Sequence, residues 1–139
     1  MIVADDSLLS IKAVQSGFDL ARNFGAKVLL LTIIEPGSAI GNPDAGVFPD
    51  DALAAIEAQV HDFMERMKGF YAHSVETELE VIVGEIIPIV IKVVNDYSAD
   101  LIVTGTHGRT GLSKLFTGSI AETIIEHSTV PVCIVPTEK

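Results

Sequence analysis

The chain has 139 residues, of which 48% are hydrophobic, and it carries a formal net charge of −10. This length suits one domain with a sizeable core, so we interpret residues 1–139 as a single domain. The acidity argues against binding nucleic acid through its phosphates, and the apolar runs are far shorter than the ~20 residues of a membrane helix.

Five short apolar runs predict five strands, with longer helix-like segments between them. The strands are predicted at residues 2–4, 28–34, 79–83, 101–104 and 132–135. The sequence shows no basic segment followed by an apolar one, so we expect no signal peptide. In the third run, Glu78 and Glu80 alternate with apolar residues, which predicts an edge strand with one wetter face.

The first two helices have recognisable ends. Ser7 is a candidate cap for the start of the first helix, and Gly25 suits the position just past its end. The second helix follows Pro49, and acidic residues at its start favour a helix N-terminus. Its apolar stripe is predicted to consist of Ile56, Val60, Phe63, Met67 and Phe70.

The third helix is predicted to begin near Pro88, and the fourth is "SIAETIIEHS", where Ser119 and Glu122 form a capping-box pattern. Strands that alternate with helices predict an α/β fold, with a parallel sheet and helices on both faces. Residues 35–49, rich in Gly and Pro, form a long loop after the second strand. Such a loop is usually either a functional lid or disordered.

The segment "THGRTGLSKLFTGSIAE" follows the fourth strand, where ligands bind in open α/β sheets. Gly105 would let a ligand approach the backbone, and Gly118 and Ser119 stand at the start of a helix, where free N–H groups favour phosphate. Arg109 and Lys114 add positive charge to an acidic chain. These glycines could instead form only a turn and a helix cap. Neither the P-loop pattern nor the dinucleotide fingerprint is present.

The spacing Gly105-x2-Gly108-x9-Gly118-Ser119 resembles the G-2x-G-9x-G-[ST] nucleotide motif of the universal stress protein family. "IVADDS", "VLLLTIIEP" and "VIVGEI" resemble the first three strands of that family, and the segment from "ADLIVTG" onward resembles its C-terminal half. The resemblance covers nearly the whole chain. It implies a Rossmann-like, five-stranded parallel sheet of order 3-2-1-4-5, with a site for ATP.

On this resemblance, Asp5 matches the acidic residue that contacts the ribose, and Ile33 the apolar residue that packs on adenine. Thr104 and Gly105 would line the base and ribose. The family often has glycine where this chain has Asp6, which could repel phosphate nearby. The sequence also begins almost inside the first strand, so we expect that strand to be short or trimmed.

The resemblance places the phosphates at Gly108, Gly118 and Ser119, with Thr117 and Arg109 beside them. A Mg²⁺ ion would accompany the phosphates rather than occupy a cage of protein ligands.

The last strand, "VPVCIVP", is apolar and is expected at a sheet edge, which invites pairing with another chain. Together with the resemblance, this predicts a homodimer, whereas the alternative is a monomer whose edge is protected by Pro131 and Pro136. The only cysteine, Cys133, excludes an intrachain disulfide. It is expected to pack as a small apolar residue. With no export signal and no disulfide, a reducing cytoplasm is the expected location.

Other candidate sites are weaker. Asp5 and Asp6 are adjacent on a strand and should point to opposite faces, which disfavours a catalytic dyad. His107 could reach a phosphate, but we interpret it as a solvent-exposed residue of the loop. His61 and Glu65 share a helical face, but no third zinc ligand is evident.

Three functions remain open at this point. The first is an ATP-binding regulator of the stress response with at most slow hydrolysis, because no base or arginine finger is evident. The second is a nucleotide-dependent enzyme of related architecture. The third is a dimerisation module that has lost the nucleotide.

Overall fold

The computed structural model describes residues 1–106 and 120–137. Within them, strands and helices alternate along the chain. The strands are β1 Ile2–Val3, β2 Val28–Ile34, β3 Thr77–Val83, β4 Ile102–Gly105 and β5 Val132–Val135. The helices are α1 Ser10–Phe24, α2 Pro49–Tyr71, α3 Ile86–Asp96 and α4 Ile120–His127.

The strands form one parallel sheet in the order β3-β2-β1-β4-β5, which confirms the predicted fold and order. The two-residue strand β1 lies at the centre and pairs with both β2 and β4. Its two side chains are buried, as expected of a strand that is covered on both faces.

Side chains that alternate along the strands divide the core between the two faces of the sheet. Leu30 packs with residues of α1 and α2, whereas its neighbour Leu31 packs with residues of α3 and α4. The continuous apolar run of β2 is therefore explained by burial on both sides. None of the helices in the described ranges is long and apolar enough to cross a membrane.

The two edge strands of the sheet differ in which of their residues are exposed. β3 is an edge strand, as predicted, and Glu78 and Glu80 on it are exposed. β5 is the other edge, and its residues are partly exposed up to the buried Val135. Cys133 is half-buried and packs against the α1/α2 side of the core, as expected.

One prediction about the helix ends is confirmed in part, and one about a helix face is wrong. Helix α1 begins at Ser10, and the N-cap residue Leu9 makes no side-chain cap hydrogen bond, but Ser7, the predicted cap, accepts a hydrogen bond from the Ser10 N–H at its Oγ, at 3.4 Å. Phe70 does not join the buried stripe of α2, because its residue surface is 66% exposed near the end of the helix, where Tyr71 packs against the core instead. The predicted end of α1 is confirmed, since Gly25 has a left-handed backbone with φ 63°.

The loop at residues 35–49 leaves the carboxyl end of β2 and contains two short 3₁₀ turns, Pro36–Ser38 and Pro43–Ala45. Most of it is exposed, including the apolar side chains of Ile40 and Phe48. Two backbone hydrogen bonds, from Ala45 and Val47 to Asn42, shape its second half.

Candidate functional site

The direction of the chain across the sheet changes between β1 and β4. From β1 the chain winds outward through β2 to β3, and from β4 it winds the other way to β5. Ligands of open α/β sheets bind beyond the carboxyl ends of the strands at such a switch point. Asp5 follows β1, and Gly105 ends β4, so the fold brings these two predicted residues to the same edge.

The carboxylate of Asp5 is held by the chain that leads into α1. Its Oδ1 accepts hydrogen bonds from the Ser7 N–H at 3.0 Å and from the Ser10 hydroxyl at 2.6 Å. The Asp5 N–H donates back to Ser10 Oγ at 3.2 Å. The first of these contacts is an Asx turn, in which an aspartate binds its own backbone two residues on. Asp5 therefore has a defined orientation at the switch point.

Asp6 has a different partner from Asp5. Its Oδ2 accepts a hydrogen bond from Gln59 Nε2 on α2 at 2.8 Å. The two adjacent carboxylates thus bind different parts of the chain. The contact instead joins the loop after β1 to α2.

The predicted base and ribose residues lie at the carboxyl ends of their strands. Thr104 is buried and pairs with Val3 on β1, and Gly105 follows it as the last residue of β4. Ile33 is half-buried near the end of β2, on the face that packs against α3 and α4. Ile33 thus combines an apolar side chain with partial exposure at the edge where Asp5 lies.

Two features near this edge were not anticipated from the sequence. Ser10 is a polar residue only 5% exposed, at the first position of α1. Beyond β4 and β5, Thr106 and Thr137 lie with their hydroxyl oxygens 3.0 Å apart. The sequence "DDSLLS" could have indicated the Asx turn, because Asp side chains commonly bind their own backbone two residues on. No local pattern indicates a threonine pair that is 31 residues apart.

The predicted phosphate-binding residues lie outside the described residues. They are Gly108, Arg109, Thr117, Gly118 and Ser119. The capping box at Ser119 and the loop histidine His107 lie there too.

Two cavities of the described chain contain none of the predicted site residues. A groove of about 530 Å³ runs between β3 and α3, over an apolar floor that includes Ile82 and Val93. A smaller cavity of about 130 Å³ lies at the amino ends of the strands, beside Phe24. Neither cavity includes the carboxyl ends of β1 and β4, between which the strand order changes direction.

Tyr97 borders both of these cavities. Its hydroxyl oxygen is buried and has no hydrogen-bond partner of normal geometry among the described residues. Burial, followed by the nearby carboxylates of Glu78, Glu76 and Glu80, raises the pKa of Tyr97 to about 12. The Lys27 ammonium lies 5.5 Å from the centre of the Tyr97 ring.

The histidine and carboxylate pair on α2 faces solvent. His61 Nε2 and Glu65 Oε1 are 3.9 Å apart, and both side chains are more than half exposed. No group of three metal-ligating side chains occurs in the described residues. This is the solvent-facing pair that the sequence suggested.

Comparison with known proteins gives a consistent result. A sequence model of the universal stress protein family matches residues 1–136. A universal stress protein of Methanocaldococcus jannaschii is 26% identical over 140 aligned positions, covering 100% of this chain and 82% of the relative.

Solved structures share the fold. The universal stress protein UspA from Lactobacillus plantarum superposes with a TM-score of 0.82 at 21% identity, over 96% of this chain and 95% of that one. A universal stress protein in complex with cAMP superposes with a TM-score of 0.69 at 24% identity, over 99% and 96% of the two chains. At these identities the likeness concerns the fold.

Proposed function

The chain belongs to the universal stress protein family, and from this premise we propose that it binds ATP at the carboxyl edge of its sheet and acts as a nucleotide-dependent regulator in the stress response. The observation that carries the proposal is the fixed carboxylate of Asp5 beside the end of β4, at the switch point of the sheet. A structural neighbour of the same family was solved with cAMP, another adenine nucleotide.

The sugar and base would lie against residues at the ends of three strands. The Asp5 carboxylate can accept hydrogen bonds from ribose hydroxyls, which are donors of the kind that carboxylates bind well. Ile33 offers a partly exposed apolar surface for the flat face of adenine. The absence of a side chain at Gly105 would leave room for the ribose above β4.

The phosphates would extend toward Gly108, Gly118 and Ser119, with Arg109 and Thr117 beside them. This step rests on their spacing in the sequence and on the affinity of helix N-termini for anions. A Mg²⁺ ion fits this arrangement because Mg²⁺ takes few protein ligands and is held largely by phosphate oxygens and water. Its charge would neutralise the phosphates close to the acidic Asp6.

We propose that ATP serves as a bound signal, with at most slow hydrolysis. Efficient phosphoryl transfer needs a group that positions or activates water and cationic groups that stabilise the transition state. Asp5, the carboxylate at the switch point, is bound to the turn before α1 and is assigned to the ribose. The single cysteine favours a reducing compartment, and we propose the cytoplasm.

Calorimetry with ATP and Mg²⁺ tests the proposal. The parent protein should bind ATP with micromolar affinity, and Gly118→Val should weaken binding by about tenfold or more, or ~1.4 kcal/mol, because its side chain fills space assigned to phosphate. Gly69→Val is the matched control, since an added Cβ at Gly69 meets no atom within 4 Å. Equal ATP affinity of the parent and Gly118→Val would refute the assigned phosphate site.

A second measurement asks which nucleotide the protein carries. Mass spectrometry of ligand released from the purified protein should find an adenine nucleotide. A protein that is purified empty and does not bind ATP in calorimetry would instead be the dimerisation module without nucleotide.

A further inference from the structure

We propose that Ser10 is a positioning residue, which orients the Asp5 carboxylate toward the hydroxyl groups of a bound ribose and so determines preference for ribonucleotides. The inference rests on the proposed function. It adds a residue that the glycine motif does not contain and that touches the ligand only through Asp5.

The contacts of the Ser10 hydroxyl are reciprocal. It donates to Asp5 Oδ1 at 2.6 Å and accepts from the Asp5 N–H at 3.2 Å. A third contact, from the Ser7 hydroxyl, is 3.5 Å long. A hydroxyl has one donor and two acceptor positions, so these three contacts use its full capacity.

This arrangement explains why a polar side chain is buried at the start of α1. Ala13, Val14 and Gly17, on the following turns of the helix, are buried with Ser10. An apolar residue at position 10 would bury equally well, but it would leave the Asp5 N–H without this acceptor. A hydroxyl is needed because it donates to the carboxylate and accepts from the backbone at the same time.

The donors fix the direction of the carboxylate. Rotation about the last bond of an aspartate side chain is soft, so an isolated carboxylate samples a broad range of orientations. Here Oδ1 accepts hydrogen bonds both from the Ser7 N–H and from the Ser10 hydroxyl, and these two contacts restrict rotation of the group. A ribose then meets an acceptor that is already oriented, and binding does not have to order it.

A purely structural role for Ser10 makes a different prediction. If Ser10 only closed the turn between β1 and α1, its loss would weaken the binding of every nucleotide to the same degree, through stability. A positioning role changes the ratio of affinities for nucleotides that differ by one sugar hydroxyl.

The experiment compares ATP with 2′-deoxy-ATP and 3′-deoxy-ATP by calorimetry. The parent protein should bind ATP about tenfold more tightly than at least one deoxy analogue, as expected when a charged acceptor loses its donor. In Ser10→Ala and Ser10→Cys this ratio should fall to about threefold or less, because neither side chain is a strong donor. Ser10→Thr should keep the ratio of the parent protein.

Two control experiments separate a positioning role of Ser10 from a purely structural one. Ser16→Ala removes a serine hydroxyl from the same helix, one with no side-chain hydrogen bond in the described structure, and should leave the ratio unchanged. In an Asp5→Asn background, adding Ser10→Ala should change the ratio by less than about twofold, because residues that act through one another are not additive.

The outcomes are distinct. The positioning role is overturned if a folded Ser10→Ala protein keeps the parent's ratio of ATP to deoxy-ATP affinity. It is also overturned if Ser10→Ala lowers that ratio in the Asp5→Asn background as much as it does in the parent. In both cases the proposed function stands. Failure of the parent protein to bind ATP overturns the proposed function, and this inference with it. Loss of the ratio in Ser10→Thr as well would show that packing, not the hydroxyl, matters at this position.

Discussion

The hydroxyl oxygens of Thr106 and Thr137 lie 3.0 Å apart and join the chain beyond β4 to the chain beyond β5. The Thr137 N–H also donates to Thr106 Oγ1 at 3.1 Å. The Thr106 N–H extends the ladder of the two strands by donating to the Val135 carbonyl at 3.1 Å. This threonine pair therefore holds the two strand ends together at the edge of the sheet that carries the proposed site.

Replacing Thr106 with Val should destabilise the protein by about 1–3 kcal/mol, because the Thr137 N–H and hydroxyl both lose a partner in a largely buried place. Urea unfolding measures this loss. The same substitution at Thr129, which is exposed, should change stability by less than about 0.5 kcal/mol. Equal stability of the two variants would show that the threonine pair contributes little.

A second prediction concerns the contact between α1 and the centre of the sheet. A Cβ at Gly17 would lie 2.5 Å from Cδ1 of the buried Ile2, so Gly17→Ala should cost about 1–3 kcal/mol through overpacking. Gly69→Ala on α2 meets no atom within 4 Å and should stabilise the protein by about 0.5–1 kcal/mol. Thermal unfolding of both variants tests this contrast in sign.

The fold was largely predictable because its signals are local. Continuous apolar runs indicated strands covered on both faces, and the alternating glutamates of β3 indicated an edge. The sheet order itself came from the family resemblance. Phe70 was misassigned because helical spacing indicates a face, but not where the neighbouring core ends.

The site was predictable only in part. Asp5 and Gly105 could be placed because Asp5 follows a strand and Gly105 ends one, and the carboxyl ends of parallel strands lie at the same end of a sheet. The threonine pair joins side chains 31 residues apart, which meet only after the chain has folded and which spacing along the sequence does not indicate. The contacts of Ser10 with Asp5 and Ser7 are local instead, but the spacing does not show that Ser10 is buried.

The buried hydroxyl of Tyr97 predicts a pH-dependent loss of stability. Because its pKa is raised to about 12 in the folded protein, the unfolded chain releases this proton first, near pH 10. The stability that is linked to the protonated Tyr97 hydroxyl is fully present below pH 10 and is lost as pH rises toward 12. Urea unfolding between pH 10 and pH 12 should show a smaller loss of unfolding free energy for Tyr97→Phe than for the parent protein. At pH 7 that variant should be close to the parent in stability, because the hydroxyl has no partner of normal geometry in the described residues.

The loop at residues 35–49 is predicted to act as a lid over the nucleotide. It leaves the carboxyl end of β2 directly after the strand that carries Ile33, and most of it is exposed. We expect its amide hydrogens to exchange more slowly when ATP is added. The amide hydrogens of residues 98–101, at the amino ends of the strands, should exchange at an unchanged rate. Unaltered exchange in the loop with saturating ATP would remove the lid role.

The last prediction is a homodimer through β5. Among the described residues this edge strand pairs with β4 alone, and Val132, Cys133 and Ile134 are partly exposed, so we expect an apolar edge that can pair with a second copy. Antiparallel pairing about a two-fold axis would use the same surface on both protomers and would close the assembly at two. Ile134→Lys places a charge at the centre of the contact and should give a monomer that keeps its helical circular dichroism. Glu80→Lys places a lysine on the opposite edge strand and should stay dimeric. Light scattering at tens of micromolar measures both, and a monomeric parent protein would contradict the prediction.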